Sequence, residues 1–176
     1  MNRFWIPLVV FALLCVVFGV ALKRAPEKQF VKSALLDKPA PDFVLPDLLK
    51  PGSTVDSRQF RGRWVLINVW GTWCFECRAE HEQLLAIQRS GKVAVVGLNY
   101  KDNDDAARSW LAELGNPYEA VAVDRESHTA LDYGVYGAPE SFLVNPQGII
   151  VHKVVSVITP VLWRDKLLPM IEGAAK

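Results

Sequence analysis

The stretch Trp64-Val65-Leu66-Ile67-Asn68-Val69-Trp70 constrains the fold more than any other. Only Asn68 interrupts a run of large apolar side chains, so an extended segment here must be covered on both faces. Immediately downstream, over residues 75–89, the pattern turns helical, with Ala79, Leu84, Leu85 and Ile87 available to one face and Gly91 as a terminator. A strand buried on both faces that feeds a helix opens a βαβ unit with a parallel sheet. Residues 93–98 predict the next buried strand, 102–114 a second helix ended by Asn116-Pro117, 121–123 a short strand and 129–133 a short helix. Residues 140–144 and 149–154, split by Asn145-Pro146-Gln147-Gly148, read as an antiparallel hairpin, and 160–171 as a closing helix. Upstream, 43–45 and 53–55 form two short strands around the Lys50-Pro51-Gly52 turn.

Charge and the N-terminus narrow the class. Lys plus Arg (20) nearly balance Asp plus Glu (19) for a net charge of +1, so no basic field invites nucleic acid. From Phe4 to Leu22 no residue is charged; as a helix this stretch would be roughly 28 Å long, close to the hydrocarbon thickness of a bilayer. Gly19-Val20-Ala21 offers the small residues of a signal-peptidase site, yet the run exceeds a usual signal core and Lys23-Arg24 follow at once. The expectation is a retained anchor over residues 1–22 and a stalk over 23–40, which would reach roughly 60 Å if extended. Flanking charge does not favour an external domain, because Arg3 lies on one side and Lys23, Arg24 and Lys28 on the other. An external domain therefore rests on chemistry. Cys15 follows Leu14, where a lipoprotein signal needs a small residue, and reads as an inert thiol.

Three cysteines are too few for a disulfide scaffold, which leaves one pair, in Trp73-Cys74-Phe75-Glu76-Cys77. It sits where the buried strand ends and the helix begins. Free N–H groups and the positive end of the helix macrodipole stabilise a thiolate on the first cysteine there. The two-residue gap brings the sulfurs within bonding reach across the first turn. Cys74, expected at an exposed tip, attacks a partner disulfide, and Cys77, one turn inward, resolves the mixed disulfide. A metal reading competes, since Cys74, Cys77 and His81 share a helical face. A closed zinc site needs a fourth ligand, and neither a second C-x-x-C nor an H-x-x-x-H is present. Haem attachment needs His directly after the second cysteine, where Arg78 stands. Pro139 immediately precedes a strand, and its peptide bond fits either a cis tight turn or an ordinary trans one.

Trp70 to His81, read Trp-Gly-Thr-Trp-Cys-Phe-Glu-Cys-Arg-Ala-Glu-His, resembles the active site of the CcmG/DsbE family of cytochrome c biogenesis thioredoxins, related to the TlpA and ResA proteins. Gly97-Leu98-Asn99-Tyr100-Lys101-Asp102, the stretches 110–118 and 134–144, the Pro41-Asp42-Phe43 opening and the apolar N-terminus extend the resemblance over nearly the whole chain. It implies an α/β, thioredoxin-like three-layer sandwich with a mixed central sheet over residues 41–176. It also implies a thiol–disulfide oxidoreductase held by one transmembrane helix in a bacterial inner membrane, with its catalytic domain in the periplasm. Such a protein acts as a reductant. It keeps the C-x-x-C-H cysteines of apocytochrome c reduced, directly or through another maturation thiol protein, and is recharged by a membrane thiol carrier of the DsbD or CcdA type. Carried over by position, Cys74 is the nucleophile, Cys77 the resolving cysteine and Pro139 a cis proline. Glu80 and Glu140 are the acidic residues near the pair, and Trp73, Tyr136 and Ala138 line the substrate groove. No cofactor and no metal are implied.

Two departures bear on mechanism. The family commonly has a proline between the cysteines, where this chain has Phe75-Glu76, which affects potential and partner preference. Asn68 stands where ordinary thioredoxins carry a buried Asp, so a proton leaving Cys77 needs another base, Glu80 or Glu140. Carboxylates at Glu76, Glu80 and Glu140 would oppose thiolate formation on Cys74, which favours a reducing couple. Acids are also favoured at a helix N-terminus for their own sake, which accounts equally for Glu76. Two other functions remain open: a periplasmic reductase of the same fold serving other clients, and a tethered metal-binding module. Client trapping separates the first and metal analysis the second.

Overall fold

The apolar run at 64–70 lies at the centre of a five-stranded sheet. The structure, a computed structural model, describes residues 5–24 and 34–173; most of the expected stalk, residues 25–33, lies outside the described residues. In chain order the elements are α1 (Trp5–Arg24), β1 (Val44–Pro46), β2 (Thr54–Asp56), a 3-10 turn (Ser57–Phe60), β3 (Val65–Trp70), α2 (Phe75–Ser90), β4 (Ala94–Tyr100) and α3 (Asp104–Leu114). They continue with β5 (Ala120–Asp124), α4 (His128–Asp132), β6 (Glu140–Val144), β7 (Ile150–Val154), α5 (Pro160–Leu162), a π-helical turn (Trp163–Leu167) and α6 (Leu168–Gly173).

The sheet order is β5-β4-β3-β6-β7. β3, β4 and β5 run parallel, while β6 pairs antiparallel with both β3 and β7. Every residue of β3 is buried. Leu66 and Trp70 face a core shared with Leu84 and Ile87 of α2, Trp110 and Leu111 of α3, and Trp163 and Leu167. Val65, Ile67 and Val69 face a second core with Phe43, Phe60, Tyr133 and Phe142. This is the three-layer, thioredoxin-like α/β architecture with a mixed sheet that the sequence order implied. α3 starts two residues later than expected because Asn103 caps it, accepting from the N–H groups of Asp105 and Ala106.

The chain divides into two compact units, Met1–Lys32 and Ser33–Lys176. In the first, every described side chain of α1 is exposed, including the free thiol of Cys15. Among the described residues no helix is long and apolar enough to cross a membrane. In the second unit, residues 34–40 correct the expected end of the stalk. Leu35 and Leu36 pack on the second core, and Asp37 and Ala40 donate backbone N–H groups to the carbonyls of Ile150 and Gly148. Two adjacent leucines in an otherwise polar stretch carry too little periodicity to show this in the sequence.

Gly97 of β4 opens a slot across the first core. It lies beside Asn68 in the β3–β4 register, and a Cβ there would meet Trp70 Nε1 at 2.8 Å and the Tyr118 ring at 3.1 Å. The missing side chain lets Tyr118 stack on Trp70, with centroids 5.4 Å apart and planes 20° apart. We expect Gly97→Ala to lower stability by about 1–3 kcal/mol, the usual cost of overpacking a filled core. A denaturant midpoint unchanged from the native protein would contradict this packing account.

Candidate active site

The strand-to-helix junction builds the site. Gly71, Thr72 and Trp73 lead from β3 into Cys74, which is the N-cap of α2. Cys74 and Cys77 are joined as a disulfide, with Cα atoms 5.3 Å apart. Cys74 Sγ accepts the Cys77 N–H at 3.1 Å, so an otherwise orphaned helix donor already points at this sulfur. The same donor and the helix dipole would stabilise a Cys74 thiolate once the bond is reduced.

Cys74 is not at an exposed tip. It is 5% exposed and Cys77 3%, because both sulfurs join the first core and Ala138 packs against that cluster. The exposed groups are its neighbours: Trp73 is 53% exposed and Phe75 81%. Tyr136, in the turn before β6, is also 81% exposed. The Ala138–Pro139 peptide is cis.

The junction is clamped from the end of β4. Asp102 accepts from Thr72 N at 2.7 Å and from Thr72 Oγ1 at 2.6 Å, and Asn99 Nδ2 donates to the same carboxylate at 2.9 Å. Trp73 Nε1 donates to the carbonyls of Tyr100 and Lys101. No spacing in the sequence marks Asp102 for this role. It falls at the head of an expected helix, and only the parallel β3–β4 register brings it to Thr72.

Glu80, one turn beyond Cys77, is almost fully buried. Its Oε1 accepts from Asn68 Nδ2 at 2.8 Å and its Oε2 from the Ile158 N–H at 2.8 Å. Burial pushes its pKa up to about 7, partly opposed by the hydrogen bonds from Ile158 and Asn68. A carboxyl poised near neutrality, one helical turn from the inner cysteine, can hold or release a proton in the working pH range.

Glu140 is differently placed. Its neighbour Ser141 pairs with Asn68 and accepts from the Asn68 amide, so Glu140 alternates to the opposite face of the sheet. There Lys153 Nζ lies 2.8 Å from its Oε2, and the Tyr136 N–H donates to its Oε1 at 2.9 Å. Lys153 is itself buried, donates to the Gly134 carbonyl at 2.7 Å and lies over the Tyr136 ring. The expectation that Glu140 joins Glu76 and Glu80 in opposing a Cys74 thiolate is therefore corrected. Glu140 is neutralised by Lys153 and braces the turn before the cis proline, while Glu76 is exposed in the first turn of α2.

The three candidate metal ligands do not converge. The cysteines are bonded to each other, and His81 turns away, with Nε2 2.9 Å from the Gly115 carbonyl and Nδ1 accepting from Trp110 Nε1. Burial lowers the His81 pKa, in keeping with a neutral ring that accepts on one nitrogen and donates on the other.

A C-x-x-C disulfide at the head of α2, on the central strand of a thioredoxin-like sheet, defines a thiol–disulfide oxidoreductase. Comparison with known proteins agrees. Residues 35–161 match the Redoxin family. The chain is 44% identical to the thiol:disulfide interchange protein DsbE of Yersinia pestis over 94% of this chain and 90% of that protein. It is 41% identical to the DsbE of Escherichia coli K12 over 97% of this chain and 94% of that one. A secreted thiol-disulfide isomerase from Corynebacterium glutamicum shares the fold, with a TM-score of 0.68 at 24% identity over 76% of this chain and 85% of that one. The chain belongs to the DsbE thiol:disulfide interchange proteins of the Redoxin family.

Linkage gives the Glu80 assignment a thermodynamic signature. With a folded pKa near 7 against 4.5 ordinarily, Glu80 holds a proton in the folded chain that the unfolded chain has released. That contribution is fully present below about pH 4.5 and is lost as pH rises through about 7, a change on the order of 3 kcal/mol. We expect oxidised native protein to lose stability relative to its Glu80→Gln variant as pH rises across this window. Parallel stability–pH curves from denaturant titration would contradict the assignment.

Proposed function

We propose that this chain is a reductant in cytochrome c maturation, tethered to the inner membrane with its redox domain in the periplasm. The observation that carries the chemistry is the buried Glu80 carboxyl, one helical turn along α2 from Cys77. In the reduced protein the Cys74 thiolate attacks one sulfur of a client disulfide, forming a Cys74–client bond and releasing the other client sulfur as a thiolate. Cys77 then gives its proton to Glu80 and attacks Cys74 Sγ, expelling the second client sulfur. The client gains two electrons and the pair is left as the Cys74–Cys77 disulfide.

The reducing direction is supported by what surrounds the sulfurs. Both are buried, and burial disfavours the thiolate that a strong oxidant would stabilise. The exposed Trp73, Phe75 and Tyr136 offer apolar contact to a client segment, with Ala138 and Pro139 presenting backbone beside the disulfide. The client class is the C-x-x-C-H segment of apocytochrome c or an intermediary thiol protein, and a membrane thiol carrier of the DsbD or CcdA type restores the dithiol. This identification rests on the resemblance of residues 70–81, 97–102, 110–118 and 134–144 to the CcmG/DsbE family. The anchor reading draws on the uncharged run Phe4 to Leu22 and on residues 7–20 of α1, which are exposed on every face, a surface that an apolar surrounding would match.

In membranes, Cys77→Ala should accumulate mixed disulfides between Cys74 and C-x-x-C-H or maturation thiol proteins, and Cys74→Ser should accumulate none. Trapped partners lacking any cytochrome c maturation protein would favour a reductase of other clients. Trapping through Cys77 in a Cys74→Ala variant, at rates matching Cys74, would overturn the division of roles.

A further inference from the structure

Asn68 is fully buried, and its side-chain amide is saturated. Nδ2 donates to Glu80 Oε1 at 2.8 Å and to Ser141 Oγ at 3.0 Å, while Oδ1 accepts from the Tyr118 hydroxyl at 2.8 Å. We propose that Tyr118 is a positioning residue for the proton chemistry: its hydroxyl fixes the Asn68 amide so that the NH2 group, not the carbonyl, faces Glu80. The proposal rests on the reading of Glu80 as the acceptor of the Cys77 proton.

The argument is one of donor and acceptor counting. An amide rotated by 180° would place Oδ1 against Glu80, where only a protonated carboxyl could donate to it. Ser141 is indifferent to such a rotation, since a hydroxyl donates or accepts equally well. Tyr118 is not. Facing Nδ2, its oxygen could accept, but its own O–H would lose the acceptor it has in this buried site, and an unsatisfied buried donor is costly. The phenol therefore selects the orientation that supports the carboxylate. It reaches Asn68 only because Gly97, the β4 partner of Asn68, leaves the slot through which the ring passes. Glu80 is faced by Asn68 from β3, by the Ile158 N–H from the loop after β7 and, through Asn68, by Tyr118 and Ser141. On its own helix the neighbouring titratable groups are Cys77 and the buried His81, which is turned to the Gly115 carbonyl and Trp110, and Glu140 with Lys153 sits across the sheet.

The test is a carboxyl titration of the full chain in detergent, by isotope-edited infrared spectroscopy with glutamate labelled, the Glu80 band being assigned by its loss in Glu80→Gln. Tyr118→Phe should raise the Glu80 midpoint by about one pH unit or more, the scale expected when a charge-assisted donor is replaced by an acceptor. Ser141→Ala should leave it much closer to native, and Gly97→Ala, which displaces the same ring, should move it in the direction of Tyr118→Phe. The pH profile of thiol–disulfide exchange should shift with the carboxyl. A Glu80 midpoint unchanged in Tyr118→Phe overturns the proposal. A midpoint that moves while the exchange profile stays put supports the positioning role and instead refutes Glu80 as the proton acceptor.

Discussion

One side-chain amide in the central strand holds the reactive layer together. Asn68 is the polar residue in an otherwise apolar run, and a buried amide must find partners for all its hydrogen-bonding groups. It finds them on three elements at once: Glu80 on α2, Ser141 on β6 and Tyr118 just before β5. Where the fold tolerates a carboxyl inside its core, it does so because this amide and the Ile158 N–H each donate to one of its oxygens. A carboxylate without them would bear the full desolvation penalty. The site thus replaces a buried acid on the strand with a buried amide that supports an acid on the helix.

The sheet separates two kinds of charge. On the α2 face the carboxyl of Glu80 has hydrogen-bond donors and, among the described residues, no ion-pair partner, and burial holds its pKa near 7, where it can exchange a proton. On the other face Glu140 has Lys153, and the pair serves geometry: it ties the Gly134 carbonyl and the Tyr136 N–H into the turn that precedes Pro139. Asp102 does comparable work at the opposite flank by gripping Thr72. The disulfide therefore sits between two braced loops, which limits reorganisation when a client docks.

The parts that were legible in the sequence are those with a period or a punctuation mark. The continuous run at 64–70, the cysteine pair at the strand-to-helix junction and the turn at 145–148 were enough to define the architecture and to locate the reactive disulfide. The parts that were hidden depend on register. Tyr118 meets Asn68 because Gly97, the β4 partner of Asn68, leaves room for its ring, and Lys153 meets Glu140 because β6 and β7 pair in one frame. No spacing along the chain announces either contact. The burial of Cys74 was hidden for the same reason, since the core it joins is assembled from elements far apart in sequence.

The most direct measurement follows the resolving step alone. A mixed disulfide between Cys74 and a coloured aromatic thiol releases that thiol when Cys77 attacks, and stopped-flow absorbance reads the rate at each pH. For the native protein the account predicts a limb centred near pH 7, belonging to Glu80. In Glu80→Gln that limb should vanish and the release should slow by roughly a hundredfold or more, the scale of a lost general base. Superimposable rate–pH profiles for the two proteins would contradict it.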